Sequence, residues 1–363
     1  MSCLPCLGEL IKYVMRQTLK NKRGHLLLAA LLFLTSVGIK GERVLSGSLL
    51  VLNKSDGTAS VLDLVTGEVT ATLGTGIGPH EVAVSPDGRL AVVSNYGEEK
   101  VNSLTVLHLE RVLPLRTIYL ESLAAPHGIV FMPDGKKVAV TAEGSNAVVV
   151  VQVETGKIEK IIPTGDNPCH MMALSSDGRT AYASSIVKGT VCVLDLDAGE
   201  MTKILHTGKG AEGLAVSPNG EQVWVCNRED DTVSVIDTHS LSVVQTIPVV
   251  SFPIRIQFTP DGLSAIVTCA RSGEVVALDA KTGEEKRRLS MEIKEEDIRR
   301  RYNPYGVSPT PIGLAISLDG QFAFVALTRT DMITVIDLRT WTVLLRLTAG
   351  RGPNALVYLG SGL

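Results

Sequence analysis

Aromatic residues make up only 4% of this 363-residue chain. A core built on stacked rings is excluded, so any large core must come from Val, Ile, Leu and Ala, which suits strands. Cysteine is sparse: six residues without a regular even-numbered spacing, so disulfides do not hold the fold. Cys192, Cys226 and Cys269 fall in β-branched runs, where a free thiol packs as a small apolar side chain. Neither sign of charge dominates, with 35 Lys and Arg against 38 Asp and Glu. That balance gives no nucleic-acid footprint, and 45% hydrophobic content excludes a disordered chain. Several catalytic signatures are missing: the P-loop, the dinucleotide glycine pattern, G-x-S-x-G, the zinc-protease helix and the C-x-x-C-H of covalent haem.

What is present is repetition. One phrase reads GPHEVAVSPDGRLAVVSN from Gly78, APHGIVFMPDGKKVAVTA from Ala125, PCHMMALSSDGRTAYASS from Pro168 and AEGLAVSPNGEQVWVCN from Ala211. It returns as PIRIQFTPDGLSAIVTC from Pro253, as PIGLAISLDGQFAFVAL from Pro311 and, cut short, as PNALVYLG from Pro353. The spacing is mostly 42–43 residues. A period of that length with several short strands per unit predicts a β-propeller. In the unit from His80, EVAVS is an inner strand and Pro86-Asp87-Gly88 a tight turn; Pro presets φ there and Gly accepts a positive φ. RLAVVSN, NSLTVLHL and LRTIYL follow as the second, third and fourth strands. The last copy holds only an inner strand, whereas the segment from about Leu45 supplies three strands and no inner one. The two ends should therefore complete a seventh blade, three strands plus one, and leave no open edge. The expected fold is all-β: a seven-bladed propeller of four-stranded antiparallel blades over 45–363, monomeric.

Residues 1–44 stand apart. Arg16, Lys20, Lys22 and Arg23 precede an uncharged run from Leu26 to Ile39, the pattern of a secretory signal with cleavage near Ser36-Val37-Gly38. Fourteen residues are short for a membrane span, although an uncleaved anchor is the alternative. Met15 would give a more typical signal than Met1. The propeller is expected to be exported, periplasmic or secreted, with the membrane contacted only through this segment.

The second strands VVSN, WVCN and LVLN and the turn SPDGR resemble the YVTN family of β-propeller repeats over nearly the whole of 45–363. The resemblance implies the fold directly. Relatives include surface-layer and periplasmic proteins and, more distantly, lactonases, streptogramin lyases, methanethiol oxidases and the haem-binding propeller of nitrite reductases.

If the Asp-Gly turns mark the bottom face, the loops between second and third strands and the inter-blade connections form the top, where ligands enter propeller channels. Six residues before the Pro of each turn lies one equivalent position atop each inner strand. In ring order it holds Asn354, His80, His127, His170, Glu212, Ile254 and Ile312. Three histidines on consecutive blades with a carboxylate next in line suit Zn, Cu or Fe, so His80, His127, His170 and Glu212 are the candidate metal ligands. The competing reading is a set of duplicated histidines that hydrogen-bond backbone and water. Cys169, beside His170, is expected to be a small buried residue rather than a further ligand. Arg228, Arg271 and Arg329 on the top loops and Arg255 after the ring position are candidates for holding carboxylate or phosphate, with Glu143 and Tyr96 on the histidine side. The longer interval between blades five and six, 290–310, reads as a short helix over Glu292–Arg301 followed by a break, with Tyr302 and Tyr305 above the mouth. The expected function is a binding module for a small molecule, metal ion or partner protein at the top of the channel. The alternative is a metal-dependent hydrolase, lyase or oxidase using the same histidines. A purely structural propeller is the third reading.

Overall fold

The computed structural model describes residues 45–97, 101–293 and 308–360. The signal-like segment and the expected helix with Tyr302 and Tyr305 lie outside the described residues. The rest forms seven four-stranded antiparallel sheets, each a blade in sequence order from inner to outer strand. Blade one spans 79–119, blade two 126–163, blade three 172–206, blade four 211–248, blade five 253–290 and blade six 311–348. Blade seven takes its inner strand, Pro353–Tyr358, from the C-terminal end and its other three from 48–74. Leu49 pairs with Tyr358, Leu50 with Val357 and Val51 with Leu356, so the expected closure is the observed one.

Strand position within the blade explains residue choice. Second strands such as Leu90–Asn95 and Lys137–Ala142 are buried almost throughout, because a neighbouring blade covers each face. They therefore read as unbroken apolar runs rather than alternating ones. Fourth strands such as Leu113–Tyr119 and Ser242–Pro248 bury little beyond one Ile and form the exposed rim. Between blades one and two, Val92, Leu104, Ile118, Ile129, Val140 and Val149 form one apolar cluster, and the other blade interfaces repeat the scheme. The bottom turns of blades one, three, five and six are closed by the same kind of side-chain pair. Ser85 donates to Asp87 at 2.6 Å while its own oxygen accepts from the Leu90 amide at 2.9 Å. Ser175 with Asp177, Thr259 with Asp261 and Ser317 with Asp319 do likewise.

Two features of the inner strands shape the channel. In blades one, two, four, five and six the register shifts at or beside the ring position. Such a bulge re-aims a side chain. In blade three the regular strand begins only at Met172, two residues past His170. The position after the ring residue is Gly128, Gly213 and Gly313 in blades two, four and six. A Cβ on these would lie 2.8 Å from the His170 carbonyl oxygen, 2.3 Å from that of Ile254 and 2.2 Å from that of Asn354. Glycine lets adjacent inner strands close up there, whereas blades one and five carry Glu81 and Arg255 and send them into the channel.

Candidate functional site at the top of the channel

The ring position behaves as the repeats predict. The carbonyl of each key residue is held by a hydroxyl from the second strand of the preceding blade. Ser94 donates to His127 O at 2.6 Å, Thr141 to His170 O at 2.7 Å and Ser184 to Glu212 O at 2.5 Å. His80 O accepts from Asn354 Nδ2 at 3.1 Å. Three imidazoles are thereby brought together. Ring centres of His80 and His127 are 4.4 Å apart, and those of His127 and His170 are 3.5 Å apart. Tyr96 caps them, 5.0 Å from His80 and 4.8 Å edge-on to His127.

The His127 ring is tilted 58° from that of His80 and 31° from that of His170. Among the described residues no group of three or more His, Cys, Asp or Glu is placed to hold a metal ion. The three expected histidines lie side by side at the mouth. Within this cluster, Nδ1 of His80 and both nitrogens of His127 are buried with no hydrogen-bond partner among the described residues. Burial, first, then the charges of Lys54, His170 and Arg255, hold the His80 imidazole well below its ordinary range. Burial and then His170 and His80 do the same to His127. Both are neutral donor-acceptor rings at pH 7.

A polar circuit encloses them. Tyr96 Oη donates to Glu143 Oε2 at 2.9 Å, and His170 Nδ1 lies 2.9 Å from the same oxygen. His170 Nε2 is 3.8 Å from Glu212 Oε1. Glu212 accepts from Arg228 Nη1 and, at 2.8 Å, from Arg255 Nη1. Arg255 Nη2 then reaches Glu81 Oε1 at 2.7 Å, on blade one. The chain of contacts leaves blade one at Tyr96, passes through blades two to five and returns at Glu81. Burial alone would raise the Glu212 carboxyl, but the Arg255 and Arg228 guanidiniums outweigh it and hold the carboxyl below its ordinary range. Arg255 is thus committed to two carboxylates and acts as a crossbar. A cavity of about 390 Å³ occupies the channel, lined by Glu81, Arg255 and Gln257 together with apolar inner-strand residues such as Val82, Leu214 and Leu356.

The other half of the mouth is apolar. Phe252, Ile254, Ala270 and Ile312 form one buried cluster. Arg271 lies over the Phe252 ring at 4.7 Å and Arg228 at 5.2 Å. Arg329 Nη1 donates to Ser308 O at 3.3 Å, away from the circuit. Cys169 is fully buried, and its neighbour Cys192, then burial, push its thiol far up, so it is no thiolate ligand. Sequence reasoning passed over Glu81, Lys54, Ser94, Thr141 and Ser184. A hydroxyl recurring one residue before the end of the second strand, as in VVSN and VTA, was the available signal for the last three.

Two family models match parts of the chain: "Cytochrome D1 heme domain" over residues 134–285 and "Lactonase, 7-bladed beta-propeller" over 45–168. Protein NirF of Pseudomonas aeruginosa is 26% identical over 181 residues, which is 47% of this chain and 45% of that protein. This chain is similar to NirF and to haem d1-type and lactonase-type propellers. Protein NirF of Stutzerimonas stutzeri is 23% identical over 190 residues, 50% of this chain and 48% of that protein. The dihydro-heme d1 dehydrogenase of Pseudomonas aeruginosa is 23% identical over 300 residues, 68% of this chain and 61% of that protein. The chain spans about half the length of the NirF proteins it matches. Among solved structures, hydrazine synthase of Kuenenia stuttgartiensis superposes with a TM-score of 0.65 at 20% identity, covering 78% of this chain and 90% of that one. A protein of Desulfotomaculum acetoxidans DSM 771 superposes with a TM-score of 0.71 at 13% identity, covering 86% and 99%. At these identities the structural likeness carries the fold alone.

Proposed function

We propose that this chain is an exported binding propeller that takes a tetrapyrrole of the haem d1 type at the top of its channel. The observation that carries the reading is the two-sided mouth. One half is a neutral imidazole stack with three buried ring nitrogens unsatisfied; the other is an apolar floor of Phe252, Ile254 and Ile312 with Arg271 over it. Leaving such nitrogens bare costs about 1–3 kcal/mol each, a cost a nitrogen-seeking ligand would recover. A flat, apolar, acid-edged ring answers both halves. The likeness to propellers whose names specify haem d1 points the same way. His80 and His127 are the nitrogen donors, Ile254 and Phe252 the surface for the ring, and Arg271 the partner of an acidic substituent. When bound, the group supplies an iron centre able to take a nitrogen donor and to exchange electrons. A lone divalent metal suits the stack less well, since the rings pack against each other.

Titration of the purified protein with haemin tests this. A saturable, red-shifted Soret band is expected, and it should be lost when His80 and His127 are both replaced by Ala. No spectral change with the wild-type protein, or a change that survives both replacements, would refute it. An enzymatic reading rests on the same residues and is favoured by the likeness to the dehydrogenase. The hydrogen-bonded run Tyr96–Glu143–His170, continuing toward Glu212, offers a path for a proton released at the mouth. Of the wider resemblances, the YVTN-type reading rests on the VVSN-like strands, and export rests on the 26–39 run.

A further inference from the structure

Blade three is sewn together differently from the other six. In each of those, the first residue past the second strand donates its amide to the carbonyl just before the inner strand. Tyr96 donates to Gly78 O at 2.9 Å, Glu143 to Ala125 O at 3.0 Å and Arg228 to Gly210 O at 3.1 Å, and blades five, six and seven do the same. Blade three has no counterpart between Ile186 and Pro168 among the described residues. The next pairing is missing as well. Five of the other blades set a Pro opposite the last residue of the second strand, as Pro79 opposite Asn95, and blade four sets Ala211 there. Blade three has Cys169 at this place, and its pairing begins only at Met172. The hydroxyl of Ser185, which Cys169 would face, is buried with no hydrogen-bond partner among the described residues. What Cys169 meets is another cysteine. Its thiol is hydrogen-bonded to that of Cys192, on the third strand Thr190–Asp195 of the same blade. Its Sγ is 3.9 Å from Ala183 O, and Ala183 pairs directly with Cys192. Asn167, two residues earlier, also leans on the third strand and accepts from Thr190 Oγ1 at 3.1 Å. Both thiols are fully buried in one apolar cluster with Ala139, Val148 and Val150 of blade two.

We infer that Cys169 and Cys192, free thiols in this structure, are joined by a disulfide in the exported protein, and that this bond fastens the segment carrying His170 where the backbone ties are missing. The step is an exchange with a disulfide-bearing thiol oxidant of the export compartment. One thiolate of the pair attacks the oxidant's disulfide, and the other displaces the oxidant from the mixed disulfide. One S–S bond breaks and one forms; two electrons pass to the oxidant, and the two protons end on its thiols. Blade two covers both sulfurs in the finished ring, so the exchange belongs to folding and the finished bond is shielded from reductants. One such bridge does not hold the ring; it fixes one inner strand beside the histidines. The inference rests on the export reading, since a reducing compartment would keep both thiols free.

The full chain, unfolded with a reductant, is refolded with oxidised and reduced glutathione, alkylated with N-ethylmaleimide in denaturant and digested. A peptide pair joined through Cys169 and Cys192 is expected, with Cys226 and Cys269 alkylated. Alkylated Cys169 and Cys192 would overturn the bridge and leave the export reading standing, because the buffer here supplies the oxidant. A bridge after refolding, but free thiols in protein taken directly from the producing cell, would instead sink the export reading and the bridge in the cell with it. The fastening has its own readout. Amide hydrogen exchange over 164–171 should be about tenfold or more slower in the bridged protein than in the same chain refolded with reductant. Cys192→Ala and Cys169→Ala should both exchange like the reduced chain, whereas Cys226→Ala, which also removes a buried thiol, should match the bridged wild type. Equal exchange in bridged and unbridged protein would show that the bond does not fasten the segment.

Discussion

His127 is the side chain in which stability and function pull apart most clearly. It is fully buried, its ring centre is 3.5 Å from that of His170, and neither ring nitrogen has a hydrogen-bond partner among the described residues. Two bare nitrogens in a packed interior work against folding, so this residue is kept for something other than the fold. His127→Leu, close in volume and free of polar atoms, is therefore expected to raise stability by roughly 1 kcal/mol or more and to weaken haemin binding. A pH readout belongs to the same variant. Because the folded-state pKa of His127 is depressed, its contribution is fully present above the unfolded value near 6.5 and is lost as pH falls from there toward the folded pKa. His80 adds to the same loss. Each can steepen acid destabilisation by at most about 1.4 kcal/mol per pH unit. Urea unfolding at pH 7.5 and 5.5 should show the Leu variant losing less stability than wild type. If the variant is less stable at pH 7.5, with an unchanged acid slope, the nitrogens are not bare and the argument fails.

The strand is where sequence and structure agree best, and where their disagreement teaches most. Inner, second, third and fourth strands, the Asp-Gly turns and the ring position were all readable, because each is fixed by local chemistry repeated seven times. Even the Asn of VVSN, WVCN and LVLN has a local role. Asn95 Nδ2 donates to Ser103 and Thr105 within its blade while its oxygen accepts from the Gly76 amide, and Asn227 and Asn53 bond their own blades in the same way. What could not be read was anything that depends on two blades at once. The close packing of the imidazoles, the Ser94, Thr141 and Ser184 latches and the reach of Arg255 to Glu81, 174 residues away, are products of closure. The glycine after the ring position is a sharp probe of this inter-blade fit. Gly128→Ala would place a methyl 2.8 Å from both the His170 carbonyl oxygen and the Met172 amide, forcing blades two and three apart at the histidines. A loss of about 1–3 kcal/mol, accompanied by weaker haemin binding, is expected from such overpacking. Gly74→Ala, where the added carbon meets nothing within 4 Å, should match wild type in both measurements. Equal behaviour of the two variants would show that the inner strands are not in tight contact at this level.

Seen as a ring, the molecule is fastened twice. The first fastening is the C-terminal strand, which supplies the inner edge of blade seven and pairs with Ser48–Asn53. The Arg351 amide adds a bond to Asp56 Oδ2 at 2.7 Å on the same seam. The second is the Arg255 crossbar, which links blade five to blades four and one through the channel. The two differ in kind. The seam joins adjacent strands by backbone bonds and apolar contact, and Asn354, within it, also holds the His80 carbonyl. The crossbar is a buried ion pair, whose net worth is small but whose half-removal is expensive, since it strands a carboxylate. Arg255→Met should therefore cost about 3–5 kcal/mol, and adding Glu81→Gln should recover part of it even though Glu212 keeps Arg228. Ending the chain at Gly352 should do more. It exposes the edge of Ser48–Asn53 and the inner faces of blades one and six, so the truncated protein should lose its cooperative transition at the wild-type temperature and associate through the open edge. Adding a synthetic 353–363 peptide should restore both the transition and the monomer on gel filtration. A truncated protein that melts as wild type does, without the peptide, would mean that the ring does not depend on its seam, and that the crossbar and blade contacts alone hold it closed.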